Sequence, residues 1–333
     1  MAFNLEPLLQ QFVPGCKFTV SPHRGGMNNT TFFVSTGAHR YMLRIYETHR
    51  DFNKVNYEHH ILSQLAKLEL PFGIPSPVAG IGGETVKWTL EGKPAALFHY
   101  LEGGNPDLQA YDQLKSYGLA AGGLTKALEN MCTSLKPVYS PYYELENTHP
   151  MCSVSQVIDF CGQPPEEFGE YKQELTELAD QLSMFIESRE DFKKLPHQLI
   201  HGDLNGSNIL EDEDGNITAL LDFEFVTRDL RVMELSVCLS EIINMRQSSL
   251  WLQLEAFLEG YGRFVRLSEG EVRAIPLLIM LRRLDVFIHF LGRYMDGVDG
   301  AEVVSDQIKN AAQQARWLSA NGLRLRTCIN SLL

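Results

Sequence analysis

The stretch His201-Gly202-Asp203-Leu204-Asn205-Gly206-Ser207-Asn208-Ile209-Leu210, followed by Leu220-Leu221-Asp222-Phe223-Glu224, holds the residue types that phosphoryl transfer needs. Asp203 follows the short apolar run Leu199-Ile200, so it falls on a loop where its carboxylate can face a cleft. Asn208 comes five residues later, at the start of another apolar triplet. The turn Asp212-Glu213-Asp214-Gly215-Asn216 then returns the chain and sets Asp222 across a hairpin from Asn208. One carboxylate is left to orient a hydroxyl, while an amide oxygen and a second carboxylate hold Mg²⁺, a hard cation that takes its other oxygens from phosphates and water. The ordinary alternative is a polar turn with a helix cap and surface acids. Five specified residues at ~5% each match by chance in a chain this long on the order of once in ten thousand.

Other elements must position those side chains. The first hundred residues read as strands over 17–21, 30–36, 40–47, 85–90 and 95–100, rich in β-branched and aromatic residues and split by turn signals. In Tyr41-Met42-Leu43-Arg44-Ile45-Tyr46, alternation puts Arg44 on one face with Met42 and Tyr46. Residues 54–70 read as a helix whose apolar stripe is Val55, His59, Leu62, Leu65 and Ala66, with Glu58 inside it. A carboxylate on a core-facing stripe is costly unless paired, and Arg44 is the nearest cation on a preceding strand. The other reading of Glu58 is a residue at the stripe's edge, reaching water.

After Leu101-Glu102-Gly103-Gly104-Asn105-Pro106 the pattern turns helical, over 111–135, 154–161, 166–189, 232–244, 250–264, 271–294 and 303–318. A small hairpin of three apolar triplets (Leu199-Ile200, 208–210 and 219–221) interrupts it. The expected fold is therefore α+β: a sheet-rich lobe over 1–101 and a larger, mainly helical lobe over 102–333. The 333 residues carry 29 basic and 42 acidic side chains, a net charge of -13. Residues 1–100 hold 9 of the bases and 7 of the acids, so the acidity belongs to the larger part. This balance argues against a general nucleic-acid or anionic-membrane binder. No apolar run reaches the ~18–20 residues of a membrane span. The start reads as a short amphipathic helix rather than a signal peptide. Six scattered cysteines with no CxxC pair suit free thiols in the cytoplasm better than disulfides or zinc.

His201-Gly202-Asp203-Leu204 with Asn208, and Asp222-Phe223-Glu224, resemble the aminoglycoside phosphotransferase superfamily. That group includes choline kinases, homoserine kinase type II and related small-molecule kinases of bilobal, protein-kinase-like fold. Gly25-Gly26 followed by Asn28-Asn29 resembles its loop over the nucleotide phosphates. Leu43-Arg44-Ile45-Tyr46 resembles the strand with the phosphate-contacting base, and Glu58 that base's helix partner. The stretches 74–78 and 92–103 are similar to homoserine kinase type II and its close relatives. The resemblance runs from about residue 20 to about residue 240. It implies ATP and Mg²⁺ as cofactors, Asp203 as catalytic base, and Asn208 and Asp222 as metal ligands. It further implies Arg44 on the phosphates and paired with Glu58, the backbone of His99, Tyr100 and Leu101 against adenine, and Glu224 as a second acid near the metal. Glu234 stands where the family usually has an Asp bracing the catalytic loop, and Arg44 where it more often has Lys, an exchange that is not neutral.

The resemblance implies a small-molecule hydroxyl as acceptor. On a helix over 279–294, Arg282, Asp285, His289 and Arg293 lie within about 80° of one another on an otherwise apolar surface. An arginine of this stripe suits a substrate carboxylate and Asp285 an ammonium, as homoserine would require; the bland reading is a solvated face with internal ion pairs. Aminoglycoside- and choline-type acceptors remain alternatives. A protein kinase is disfavoured, because no Arg precedes Asp203 and no Ala-Pro-Glu follows Asp222. A nucleotide-binding scaffold without catalysis is the remaining class.

Overall fold

The computed structural model describes residues 5–23, 29–47 and 52–333. The chain divides into two compact units: Met1–Asn105 with Cys132–Val138 and Asn208–Val226, and Pro106–Met131 with Tyr139–Ser207 and Thr227–Leu333. A single cut between 101 and 102 misses the return of residues 208–226 to the first unit.

The first unit is built on a five-stranded sheet in the order β1-β2-β3-β5-β4, antiparallel throughout. Its strands are β1 (Thr19–His23), β2 (Asn29–Ser35), β3 (Arg40–Tyr46), β4 (Lys87–Trp88) and β5 (Pro94–His99). Register sets Phe32 opposite Leu43, Val34 opposite Tyr41, and Leu43 opposite Leu97. These residues, with Ile45 and Ala95, pack against Leu8, Leu9 and Phe12 of helix α1 (Glu6–Phe12) to form one core. The strict period of two therefore puts Arg44 on the opposite face. Helix α2 (Phe52–Leu65) buries Val55, Glu58, His59, Ile61, Leu62 and Leu65. A two-stranded hairpin, β7 (Ile209–Glu211) and β8 (Ile217–Leu220), joins this unit through Gly73 N to Thr218 O and Gly104 N to Glu211 O. The strand expected over 85–90 shrinks to Lys87–Trp88, at the sheet edge, with Leu90 88% exposed.

The second unit is helical: α3 (Tyr111–Leu128), α4 (Val154–Gly162), α5 (Lys172–Phe192), α6 (Arg231–Asn244), α7 (Leu250–Tyr261), α8 (Glu269–Met295) and α9 (Ala301–Leu332). It also holds the pair β6 (His197–Ile200) and β9 (Thr227–Leu230). The expected hairpin of three triplets is corrected here. Leu199-Ile200 pairs with Arg228 and Thr227, whereas residues 209–211 pair with 217–220 in a separate sheet. β9 reads Thr-Arg-Asp-Leu, too polar to announce itself as a strand. Helix α3 ends at Leu128, short of the expected 135, and leaves 129–153 without an α-helix or strand. Helix α9 runs to Leu332 rather than 318: Asn321 donates to Trp317 O at 2.9 Å, and a Cβ added at Gly322 would lie 3.7 Å from Pro276. Its end lies on its own unit, where Ile329 is fully buried and Leu332 abuts Gly262.

Candidate active site

In the first unit the basic strand residue meets the acids. Arg44 Nη1 lies 3.2 Å from Glu58 Oε1 and 3.1 Å from Asp222 Oδ1. Tyr46 Oη donates to the other oxygen of Glu58 at 3.1 Å. Burial pushes the Glu58 carboxyl up to about 7; Arg44 opposes this, and Asp222 and Glu224 add to it. Burial alone would lower the Arg44 pKa, but Asp222 and Glu58 outweigh it and hold the guanidinium protonated. Glu58 is therefore core-facing and paired, not at the edge.

The hairpin places two more of the candidates. Leu221 N donates to Asn208 O at 2.8 Å, and Ile209 stands opposite Leu220, so Asn208 and Asp222 flank the same open end. Asp222 is a non-glycine residue at φ 59°, a backbone position that is strained for a side chain and concentrates at functional sites. Among the described residues its buried Oδ1 pairs with Arg44 but accepts no hydrogen bond. Glu224 accepts from Asn29 Nδ2 at 2.8 Å, and the buried Asn29 Oδ1 accepts no hydrogen bond from a described residue. Among the described residues no three His, Cys, Asp or Glu side chains form a metal-binding cluster. One amide, one carboxylate and one nearby acid nonetheless fit Mg²⁺, which draws most of its shell from phosphates and water.

In the second unit Asp203 Oδ1 accepts from Arg282 Nη2, and the two side chains are 20% and 19% exposed. Arg282 Nη1 donates to Tyr142 Oη at 2.7 Å and lies 3.6 Å from Asp285 Oδ2. Tyr142 Oη donates to Gly202 O, and Thr148 Oγ1 donates to Asp285 at 2.9 Å. Burial pushes the Asp285 carboxyl up, against the pull of Arg282 and the Thr148 hydroxyl. The loop is held from below. Glu234 Oε2 accepts from His201 N, with Oε1 buried and unbonded, and Tyr117 Oη donates to Leu204 O at 2.7 Å.

The remaining candidates disperse. Gly25, Gly26 and Asn28 lie outside the described residues. His99 N donates to Ser76 O at 3.0 Å and Tyr100 N to Arg40 O at 3.1 Å, while Leu101 packs against Gly73. Arg293 is held bidentately by Asp299 at 2.6 and 2.9 Å, the internal ion pair of the bland reading. The His289 ring stands 6.0 Å from that of His149. Sequence reasoning did not find Tyr142 and Thr148, which sit in a segment with no periodicity to read. It also missed Asp229, whose carboxylate takes the N–H groups of Tyr142 and Leu230 at 2.6 Å each. An acid inside the short run Thr227–Leu230 was its only signal.

A model of the phosphotransferase enzyme family matches residues 19–275. The homoserine kinase of Zymomonas mobilis is 24% identical over 257 residues, covering 76% of this chain and 74% of that enzyme. Among solved structures, a microcompartment-associated aminopropanol kinase superposes with a TM-score of 0.70 at 18% identity, over 96% of this chain and 98% of that one. An amicoumacin kinase in complex with AMP-PNP and Ca²⁺ gives a TM-score of 0.67 at 15% identity, over 94% of each chain. These likenesses show the expected mixed fold, a small antiparallel sheet with a helical bulk, in a group whose members bind nucleotide.

Proposed function

We propose an acceptor for this chain, which belongs to the phosphotransferase enzyme family and is an ATP-dependent small-molecule kinase: a hydroxylated amino acid, homoserine or a close analogue. The observation that carries the proposal is Arg282 at Asp203. A guanidinium beside the catalytic carboxylate suits an acceptor with its own carboxylate and repels a polycation such as an aminoglycoside. Asp285, next to Arg282, suits the ammonium. The homoserine kinase relative supports the same reading.

In this mechanism Asp203 orients the acceptor hydroxyl and takes its proton as the γ-phosphoryl of ATP transfers. Asn208 and Asp222 would hold Mg²⁺, with Glu224 as a further acid beside them, and the bound ion would supply charge neutralisation for the transferring phosphoryl group. Arg44 binds the phosphates, and Glu58 and Tyr46 fix its position. Tyr142 and Arg282 keep the Asp203 carboxylate aimed. The backbone of His99–Leu101 would receive the base. A cytoplasmic location, from the six free thiols, belongs to the same reading.

The test is ADP formation by the purified chain with MgATP across homoserine, serine, threonine, ethanolamine, 1-amino-2-propanol, choline and kanamycin. Homoserine should give the highest kcat/KM, and Asp203→Ala should lower kcat by about a thousand-fold with nucleotide binding retained. If the amino alcohols, which lack a carboxylate, turn over as well as homoserine, the acceptor assignment fails. If Asp203→Ala keeps its turnover, the mechanism fails.

A further inference from the structure

Helix α8 carries four arginines, and three are matched by acids: Arg273 by Glu269, Arg282 by Asp203 and Arg293 by Asp299. Arg283 is the exception. It is 8% exposed, its Nε donates to Gln314 Oε1 at 2.9 Å, and among the described residues it makes no ion pair. A second cation nearby shares this condition. Arg246 Nη2 donates only to amide oxygens, Asn310 at 2.6 Å and Asn244 at 3.5 Å, and it too makes no ion pair among the described residues. Burying a guanidinium without an anion is costly. Burial pushes Arg283 down to about 10, Arg282 and Arg246 push the same way and Glu241 opposes, so the group stays charged at neutral pH.

Arg246 lines a cavity, and Arg283 reaches that cavity's wall only through Gln314. A cavity of about 440 Å³ opens between the end of α6 and α9, with Arg246, Gln247 and Gln314 on its polar side and Ile243, Leu250 and Trp317 on its apolar side. Gln314 is the link: it lines the cavity, takes the Arg283 Nε–H, and donates to Ser240 O at 3.2 Å, which fixes its amide. Arg246 reaches this wall from a left-handed backbone at φ 55°, a conformation costly for a long side chain and kept where surroundings impose it. The volume falls in the range of small-molecule sites, which combine apolar walls with a few convergent polar groups.

We propose that this cavity binds a small organic carboxylate, its charged end on Arg246 and its apolar body against Ile243, Leu250 and Trp317. No residue of the site acts in the proposed transfer reaction, so the assignment stands apart from the acceptor reading.

The experiment uses the full chain without nucleotide. Trp317 lines the cavity and its ring lies 5.6 Å from that of Trp251, so ligand entry changes tryptophan emission. Phenylacetate is the probe, 2-phenylethanol its uncharged counterpart and inorganic phosphate the simple anion. Phenylacetate should give a saturable change that Trp317→Phe removes, and calorimetry should show binding at least about ten-fold weaker in Arg246→Ala, as loss of one charge-assisted contact implies. Arg246 is exposed, so that variant should melt with the parent; Gln247→Ala, on the same wall, is the second variant should it not. No saturable binding of phenylacetate up to about 20 mM, a concentration well above ordinary weak affinities, would overturn the proposal. Equal binding of 2-phenylethanol or of phosphate would do the same, as would unchanged affinity in both variants.

Discussion

Gly118→Ala tests how the helical unit holds the catalytic loop. Helices α3 and α7 cross at a point where side chains are absent. A Cβ on Gly118 would lie 2.0 Å from Phe257 O, one on Gly260 would lie 2.2 Å from Lys115 O, and one on Gly122 would lie 2.7 Å from Tyr261 O. All three neighbours are backbone, so no rotamer change relieves the overlap. To bring Phe257 O back to ordinary contact, at 3.4 Å, α3 must recede by about 1.4 Å. That gap also opens the buried contacts along the crossing, among them the edge-to-face pair of Tyr117 and Phe257, 4.9 Å apart. Overpacking costs up to about 3 kcal/mol or more, and the lost dispersion adds to it. Alanine returns about 1 kcal/mol of helix propensity. The net is a loss of about 3 kcal/mol, or about 8 °C in Tm for a unit of this size. Tyr117, one residue before the glycine, donates to Leu204 O in the catalytic loop, so kcat should fall as well. Thermal and urea melts followed by circular dichroism, with ADP formation on the same samples, supply both readouts. Gly162→Ala, at the end of α4 with nothing within 4 Å of the added carbon, is the control. A Gly118→Ala chain that melts with that control would refute the close-approach argument.

Two further outcomes are expected. Arg44→Lys should raise KM for ATP about ten-fold, because an ammonium cannot serve Glu58, Asp222 and a phosphate at once; calorimetry with MgADP checks it, and unchanged affinity counts against the role. His59 is buried, and burial together with Arg44 depresses its pKa to about 3, so the folded chain lacks a proton that the unfolded chain takes up below pH 6.5. Its contribution to stability is full above pH 6.5 and falls as pH drops, by about 2 kcal/mol at pH 5; urea unfolding of His59→Gln should show a weaker acid loss than the parent, and equal slopes would exclude His59 as a cause.

The parts of this molecule that repeat with a regular period were legible. Alternation along residues 41–46 predicts which face carries Arg44, and a helical stripe marks Glu58 as a buried acid in need of a cation. The placing of Asn208 across from Asp222 was readable because that hairpin is local and its turn is written in Asp, Gly and Asn. What escaped depends on elements that face one another without any shared period. Tyr142 and Thr148 come from an irregular stretch and reach α8 from outside it. Periodicity on α8 groups Arg282 with Arg293, yet Arg282 meets Asp203 while Arg293 meets Asp299 just past its own helix end. A helical wheel gives direction, but only the packed neighbour decides whether a charge is already matched. Arg283 makes the same point: it falls outside the polar stripe, and its lack of an acid is visible only once the surroundings of α8 are known.

Arginine at position 44 raises the question whether the chain retains a working phosphate contact. The geometry around the guanidinium bears on the proposed role. Glu58 and Asp222 both lean on Nη1, at 3.2 and 3.1 Å. Each attraction is worth about 5 kcal/mol at an effective dielectric of ~20 before desolvation is charged against it. The flat guanidinium lies 5.4 Å from the Phe98 ring centre and 5.9 Å from that of Tyr46, so its plane is set by packing on two aromatic faces. A lysine would have to divide one nitrogen among three anions. The arginine meets Glu58 and Asp222 through one nitrogen of a three-nitrogen fork, so on the proposed reading position 44 is a different solution to the same requirement rather than the loss of it. The tyrosine hydroxyl on the second oxygen of Glu58 belongs to that solution, because it satisfies the carboxyl that a single shared nitrogen leaves short.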